Sequence, residues 1–139
     1  MLQDISRMKK VFVNGTFDLI HPGHLELLFY AKSFGDHLLV ALDSDERVKQ
    51  LKGKDRPIND LETRLKIMKS FKPVDKVASF NSDVELLNII KNYYPDIMVV
   101  GSDYMNKKVI GSEYAKKLIF FDRDQRYSTT KIIESINSR

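Results

Sequence analysis

Residues His37–Asp43, His-Leu-Leu-Val-Ala-Leu-Asp, form an almost unbroken apolar run that ends on a carboxylate. Such a run marks a parallel strand covered on both faces, and two parallel strands need a crossover between them, usually a helix. The rest of the chain supplies those crossovers. Lys10 to Asn14 reads as a first strand, followed by a helix from Pro22 to about Ser33, with Leu25, Leu28, Phe29 and Lys32 at helical spacing and Gly35 as its stop. Ser44 to Lys54 is charged and partly helical, and Gly53 and Pro57 break it. Asn59-Asp60 then opens a helix, with Glu62 three residues after Asn59 as in a capping box. Leu61, Leu65 and Met68 mark its buried side, with Arg64 on a neighbouring face. Val74 to Phe80 gives a third strand, and Ser82 with Glu85 caps a helix carrying Leu86, Ile89, Ile90 and Tyr93. Asp96 to Val100 and Leu118 to Asp122 are further strands, and Ser128 to Asn137 is the last helix. This alternation predicts an α/β fold: a single domain over residues 10–139, after a loose leader at 1–9, with a mostly parallel five-stranded sheet and helices on both faces.

In such open sheets ligands bind beyond the carboxyl ends of the strands. Asn14 to Asp18 follows the first strand, Asp43 ends the second, Gly101 to Asp103 follows the fourth and Arg123 follows the fifth, so all four belong to one edge. His37 enters its strand at the opposite edge and is given no role.

The densest chemistry lies in Val11 to His24, VFVNGTFDLIHPGH. A strand breaks at Asn14-Gly15, turns through Thr16-Phe17-Asp18 and delivers His21-Pro22-Gly23-His24 into a helix. Pro22 fits the first helical position, where its missing N–H would be unpaired anyway. Free N–H groups at the positive end of a helix attract phosphate, and two imidazoles three residues apart add donors beside them. The pattern reads as a nucleotide phosphate cradle; the plainer alternative is a helix cap with incidental histidines. A zinc site is a weaker reading still, since the histidines lack a convincing third ligand and the 139-residue chain has no Cys.

With charged residues at 30% and hydrophobic ones at 42%, the composition is globular, and no segment approaches the apolar length of a membrane span. The start MLQDISRMKK has no signal-peptide character, which together with the absent Cys predicts a cytoplasmic protein that does not engage a membrane. A formal charge of +4, spread along the chain, suits small anionic molecules as well as nucleic acid. The aromatics Phe29, Tyr30, Tyr93 and Tyr94 fall in predicted helices and no RNP-like motif is present, so no nucleic-acid partner is expected. The chain's size suggests a homodimer.

Asn-Gly-Thr-Phe-Asp before His-Pro-Gly-His resembles the H-x-G-H signature of the small nucleotidyltransferases, which include cytidylyltransferases and the adenylyltransferases of bacterial sugar-nucleotide synthesis. Leu51-Lys52-Gly53 with Arg56-Pro57, the helical Arg64, Gly101-Ser102-Asp103-Tyr104 and Ile110-Gly111-Ser112-Glu113 resemble the adenylyltransferase half of the bacterial heptose kinase/adenylyltransferase. Arg123, five residues before Ser128-Thr129-Thr130, is more similar to glycerol-3-phosphate and related cytidylyltransferases, although Gln125-Arg126-Tyr127 departs from the Gly-containing segment expected there. Ser102 likewise replaces a Gly of the heptose branch. Taken singly, Lys52, Arg56 and Arg64 also read as surface charge, and the hydroxyl triplet as a helix cap.

The resemblance implies a Rossmann-like fold and an enzyme in which a phosphate oxygen of the acceptor attacks the α-phosphate of a nucleoside triphosphate and pyrophosphate leaves. It implies catalytic roles for His21, His24, Lys52 and Arg123. Nucleotide contacts are expected from Asn14, Gly15, Thr16, Phe17, Gly101, Asp103, Ser128, Thr129 and Thr130, and contacts to the phosphorylated acceptor from Asp18, Asp43, Arg56 and Arg64. Magnesium is expected with the triphosphate, held largely by the phosphates, and its protein ligands are left open. ATP is favoured over CTP, although Arg123 argues for CTP. A non-catalytic nucleotide-binding module is the competing class.

Overall fold

In a computed structural model, which describes residues 4–122 and 128–139, five parallel strands form one sheet in the order β3-β2-β1-β4-β5. The strands are β1 (Lys10–Gly15), β2 (His37–Asp43), β3 (Lys76–Phe80), β4 (Ile97–Gly101) and β5 (Lys117–Phe121). The helices are α1 (Pro22–Lys32), α2 (Asp45–Lys52), α3 (Leu61–Lys69), α4 (Asp83–Tyr93) and α5 (Thr129–Asn137). No helix among the described residues is long and apolar enough to cross a membrane.

Strand alternation divides the core in two. Val11 and Val13 of β1 point to the face covered by Leu28 and Ala31 of α1 and Met68 of α3, while Phe12 points to the face covered by Leu86, Ile90 and Tyr93 of α4. Every residue of β2 is buried, as its apolar run requires of the strand next to the centre. The chain winds outward from β1 through β2 to β3, then returns across it to β4. The reversal leaves a crevice beyond the carboxyl ends of β1 and β4, the position at which such sheets take ligands.

Several details differ from the sequence expectation. The stripe of α1 that meets the sheet is Leu28 and Ala31, and Leu25 and Phe29 stay exposed. Asp60, one residue later than expected, is the N-cap of α3 and accepts from the Thr63 N–H. Strand β3 begins two residues late, at Lys76, because the Asp75 carboxylate takes the Leu38 N–H. The expected leader is partly anchored: Ile5 packs against the α4-side core and the Lys9 N–H donates to Asp36.

Candidate active site

A cleft of about 710 Å³ opens at the carboxyl edge of the sheet. Its floor is the end of β1 and the turn into α1, from Asn14 to Asp18. One wall carries Gly101, Tyr104, Lys108 and the start of α5 at Ser128 to Lys131; the other carries Asp43, Arg47, Leu51, Lys52 and Arg56.

The histidines sit where the helix start puts them. His21 is the N-cap of α1, its Nδ1 accepting the Gly23 N–H at 3.1 Å, and His24 Nδ1 accepts the His21 N–H at 3.2 Å. The pair forms a reciprocal capping box in which imidazoles do the work usually given to Ser and Glu. A ring nitrogen that accepts a backbone N–H carries no proton, so each neutral ring keeps its proton on Nε2 and is a donor there. The rings stack at 3.8 Å between centroids, and the Phe17 ring lies 5.2 Å from that of His24. Phe17 holds a positive φ of 50° and lies so close over Gly15 that a Cβ there would meet its ring at 2.9 Å. Gly15 is therefore a steric requirement of the ring that backs His24. The cap reading and the phosphate-cradle reading describe the same geometry, since capping fixes the tautomer that donates.

The acidic residues of the motif mostly serve the scaffold. Asp18 is buried and accepts from the Ile58 and Asn59 N–H groups at 2.7 and 2.8 Å, tying the loop after α2 to the β1 turn. Asp43 accepts from Arg47 Nε at 2.8 Å and from the Thr16 hydroxyl at 3.4 Å. Arg47 also donates to Asp83 at 2.6 Å. Burial alone would lower the Arg47 pKa, but its hydrogen bonds to Asp83 and Asp43 outweigh that and the net direction is upward. Its charge is balanced by two carboxylates.

Arg64 departs from the expectation. It is 1% exposed and does not line the cleft. Its guanidinium donates to the carbonyls of Thr16 (3.0 Å), Asp43 (2.8 Å) and Asn59 (3.0 Å), and to the Asp45 carboxylate at 2.8 Å. One residue thus pins the ends of β1 and β2, the start of α2 and the loop before α3. The helical position was legible, but its burial was not, because a lone Arg in a charged helix reads as surface. Thr129 is diverted in a similar way: its hydroxyl donates to the Leu19 carbonyl at 2.9 Å, which docks α5 on the α1 turn. Ser128 accepts the Lys131 N–H as N-cap of α5 and keeps its own proton for a further acceptor.

Of the remaining expected residues, Asn14, Thr16, Gly101, Thr130, Lys52 and Arg56 all line the cleft. Asp103 falls in the 3-10 turn Ser102–Tyr104 after β4, and Arg123 lies outside the described residues. Tyr104 closes the Gly101–Tyr104 motif and lines the cleft, whereas sequence reasoning missed Arg47, Lys108 and Lys131 as cleft residues. Arg47 stands four residues after Asp43, an (i, i+4)-type signal that could have been read; the other two carry no local pattern.

A doubly wound parallel sheet with a histidine-capped helix start at its switch point is suited to holding the phosphates of a nucleotide. The chain matches the model of the family described as cytidylyltransferase-like over residues 12–135, and it belongs to that family. It is 46% identical over 136 residues to the bifunctional protein HldE of Helicobacter hepaticus, covering 98% of this chain and 28% of that protein. It is 43% identical over 133 residues to the bifunctional protein HldE of Campylobacter jejuni subsp. doylei, covering 94% and 28%. The chain thus spans less than a third of the length of these curated relatives. Among solved structures it is similar to a lipopolysaccharide core biosynthesis protein from Thermoplasma volcanium, with a TM-score of 0.69 and 27% identity over 84% of this chain and 99% of that one. A pantoate-beta-alanine ligase from Francisella tularensis shares the fold, with a TM-score of 0.60 and 16% identity over 96% of this chain and 70% of that one.

Proposed function

We propose that this chain transfers the adenylyl group of ATP to heptose 1-phosphate, forming an ADP-sugar and releasing pyrophosphate. The observation that carries the reading is the paired Nδ1 capping of His21 and His24, which turns both imidazoles of the signature into Nε2 donors on one cleft. The identity to the HldE proteins over nearly the whole chain supports the heptose branch.

The chemistry needs little beyond position and charge. An oxygen of the acceptor phosphate, anionic near neutral pH because its second pKa is about 6, attacks the α-phosphorus in line. The bond from that phosphorus to the oxygen bridging to the β-phosphate breaks, and the electron pair leaves with pyrophosphate. No general base and no covalent enzyme intermediate are required. His21 and His24 donate to the phosphate oxygens at which charge develops, Lys52 and Lys131 add cations from opposite walls, and Ser128 adds a hydroxyl. Holding both reactants in one cleft supplies the rest of the rate by orientation.

Magnesium fits this cleft as a passenger of the triphosphate. The described residues contain no group of three or more His, Asp or Glu that could hold a metal, and the cleft carboxylates Asp18 and Asp43 are each engaged by protein donors. The ion needs few protein ligands when phosphate oxygens and waters complete its shell, and when bound it neutralises phosphate charge.

We also place the protein in the cytoplasm as a homodimer, the exposed Leu25 and Phe29 of α1 supporting a covered face. The test of the function is a pyrophosphate-release panel crossing the four nucleoside triphosphates with heptose 1-phosphate, glycerol 3-phosphate, phosphocholine and phosphoethanolamine. ATP with heptose 1-phosphate should be the fastest pair. CTP exceeding ATP with every acceptor would move the protein to the cytidylyltransferase branch.

A further inference from the structure

Positive charge that is dispersed along the sequence is gathered by the fold at the amino edge of the sheet, opposite the cleft. Strands begin there and the crossover helices α1, α3 and α4 end there, and the cations at those positions are lysines. Lys9 precedes β1, Lys76 and Lys117 open β3 and β5, Lys69 and Lys91 stand in the last turns of α3 and α4, and Lys72 lies between α3 and β3. All six are exposed. Each alone has a local use, since a cation suits a helix C-terminus and guards an edge strand. Together they lack a counter-charge, because the carboxylates of this edge are turned onto other groups: Asp36 takes the Lys9 N–H, Asp75 the Leu38 N–H and Lys32, and Asp96 the Lys10 N–H and Lys116. The acidic first turns of α3 and α4, with Glu62, Asp83 and Glu85, lie at the far edge. Beside Lys91, Tyr94 ends α4 with a left-handed φ of 51° and is 56% exposed.

We propose that this edge docks the protein on a bilayer surface rich in anionic lipid, with the cleft facing away from it. The kind of cation selects the partner. Lysine is a compact, strongly hydrated charge that needs no shaped counterpart, whereas recognition of individual phosphates in nucleic acid favours the arginine fork, and the cores of protein–protein interfaces are depleted of lysine. A plane of headgroups asks only for charge within about a Debye length, and each lysine there raises partitioning about fivefold. Tyr94 adds a ring with an apolar body and a polar tip, the kind of side chain that settles at headgroup level. The acidic first turns at the far edge are repelled by the same surface, which fixes the orientation. The sequence expectation of no membrane contact rests on the missing apolar span; electrostatic attachment needs none.

The test is co-sedimentation of the full chain with vesicles of phosphatidylglycerol and phosphatidylethanolamine, and with vesicles of phosphatidylcholine alone. Wild type is compared with the triple variant Lys76→Gln, Lys91→Gln, Lys117→Gln and with a triple variant of the same net charge away from this edge, Lys49→Gln, Lys54→Gln, Lys107→Gln. Wild type should bind the anionic vesicles and not the neutral ones, and should be released as salt rises toward about 0.5 M. The amino-edge triple should bind about a hundredfold more weakly, at about fivefold per lysine, and the other triple within about fivefold of wild type. Equal losses in the two triples would reduce the effect to net charge and overturn the proposal, as would absence of binding to the anionic vesicles, or tighter binding to duplex nucleic acid at equal phosphate concentration. The chain has no Trp, so Tyr94→Trp reports on this edge by itself. Its emission should shift to the blue on anionic vesicles; binding with unshifted emission would put another face on the membrane and overturn the proposal.

Discussion

The two edges of the one sheet are built on opposite principles. At the amino edge every polar group that the fold buries is turned back on the protein. The Tyr93 hydroxyl bridges the carbonyls of Val11 and His37 and sits 2.8 Å from His37 Nδ1. Asp96 takes the Lys10 N–H at 2.7 Å, which holds its carboxyl below the usual range, and it pairs with Lys116. Asp75 takes the Leu38 N–H and Lys32. At the carboxyl edge the backbone is pinned from beneath by Arg64 and Asp18, while imidazole rings and the Arg56 side chain line the cleft above. A closed network stabilises the fold; polar groups that line a cleft are within reach of a ligand. The same residue types do both jobs, and position in the sheet decides which.

Arg64→Ala should be the most damaging, because it leaves the Thr16, Asp43 and Asn59 carbonyls and Asp45 without their shared donor. Removing one partner of a buried charged cluster costs about 3–5 kcal/mol, read as a shift in the denaturant midpoint. Loss of activity at unchanged stability would instead make Arg64 a substrate contact. His21→Ala and His24→Ala should each lower turnover by about two to three orders of magnitude, as for one oxyanion-type donor, with the fold intact. A folded double-alanine protein of normal turnover would remove the histidines from the mechanism.

The smallest effect belongs to the amino edge. Burial lowers the pKa of His37 below its ordinary 6.5, with Asp75 opposing and Lys32, Lys76 and Lys10 adding to the shift. The unfolded chain therefore takes up a proton below about pH 6.5 that the folded chain resists. The contribution is fully present above pH 6.5 and is lost as pH falls toward the lower folded pKa. In His37→Gln the stability should fall less between pH 6.5 and 5 than in the wild type, with turnover at pH 7.5 unchanged. Parallel stability curves would mean that His37 titrates as it does in the unfolded chain.

The amino-acid sequence carried the element order, the parallel sheet and the edge at which the site lies, because β2 is continuously apolar and the turn from Gly15 to His24 has few other uses. It could not carry the sides of helices. Leu25 and Phe29 fit the helical period as well as Leu28 and Ala31 do, and only packing on β1 and β2 chooses between them. Arg64 and Arg56 are equally charged and eight residues apart, yet one is enclosed by carbonyls and the other faces a cleft, a distinction set by contacts distant in the chain. Lys131 and Lys108 join the site only because α5 and the loop after β4 fold over the same crevice.

In the proposed reaction the acceptor phosphate attacks the α-phosphorus of the nucleotide in this cleft. Heptose 1-phosphate carrying ¹⁸O in its phosphate, incubated with ATP and magnesium, tests it directly by mass spectrometry of the products. Direct attack leaves every acceptor oxygen in the diphosphate of the ADP-sugar and none in pyrophosphate. Label in pyrophosphate, or adenosine monophosphate formed with unreacted labelled sugar phosphate, would contradict it.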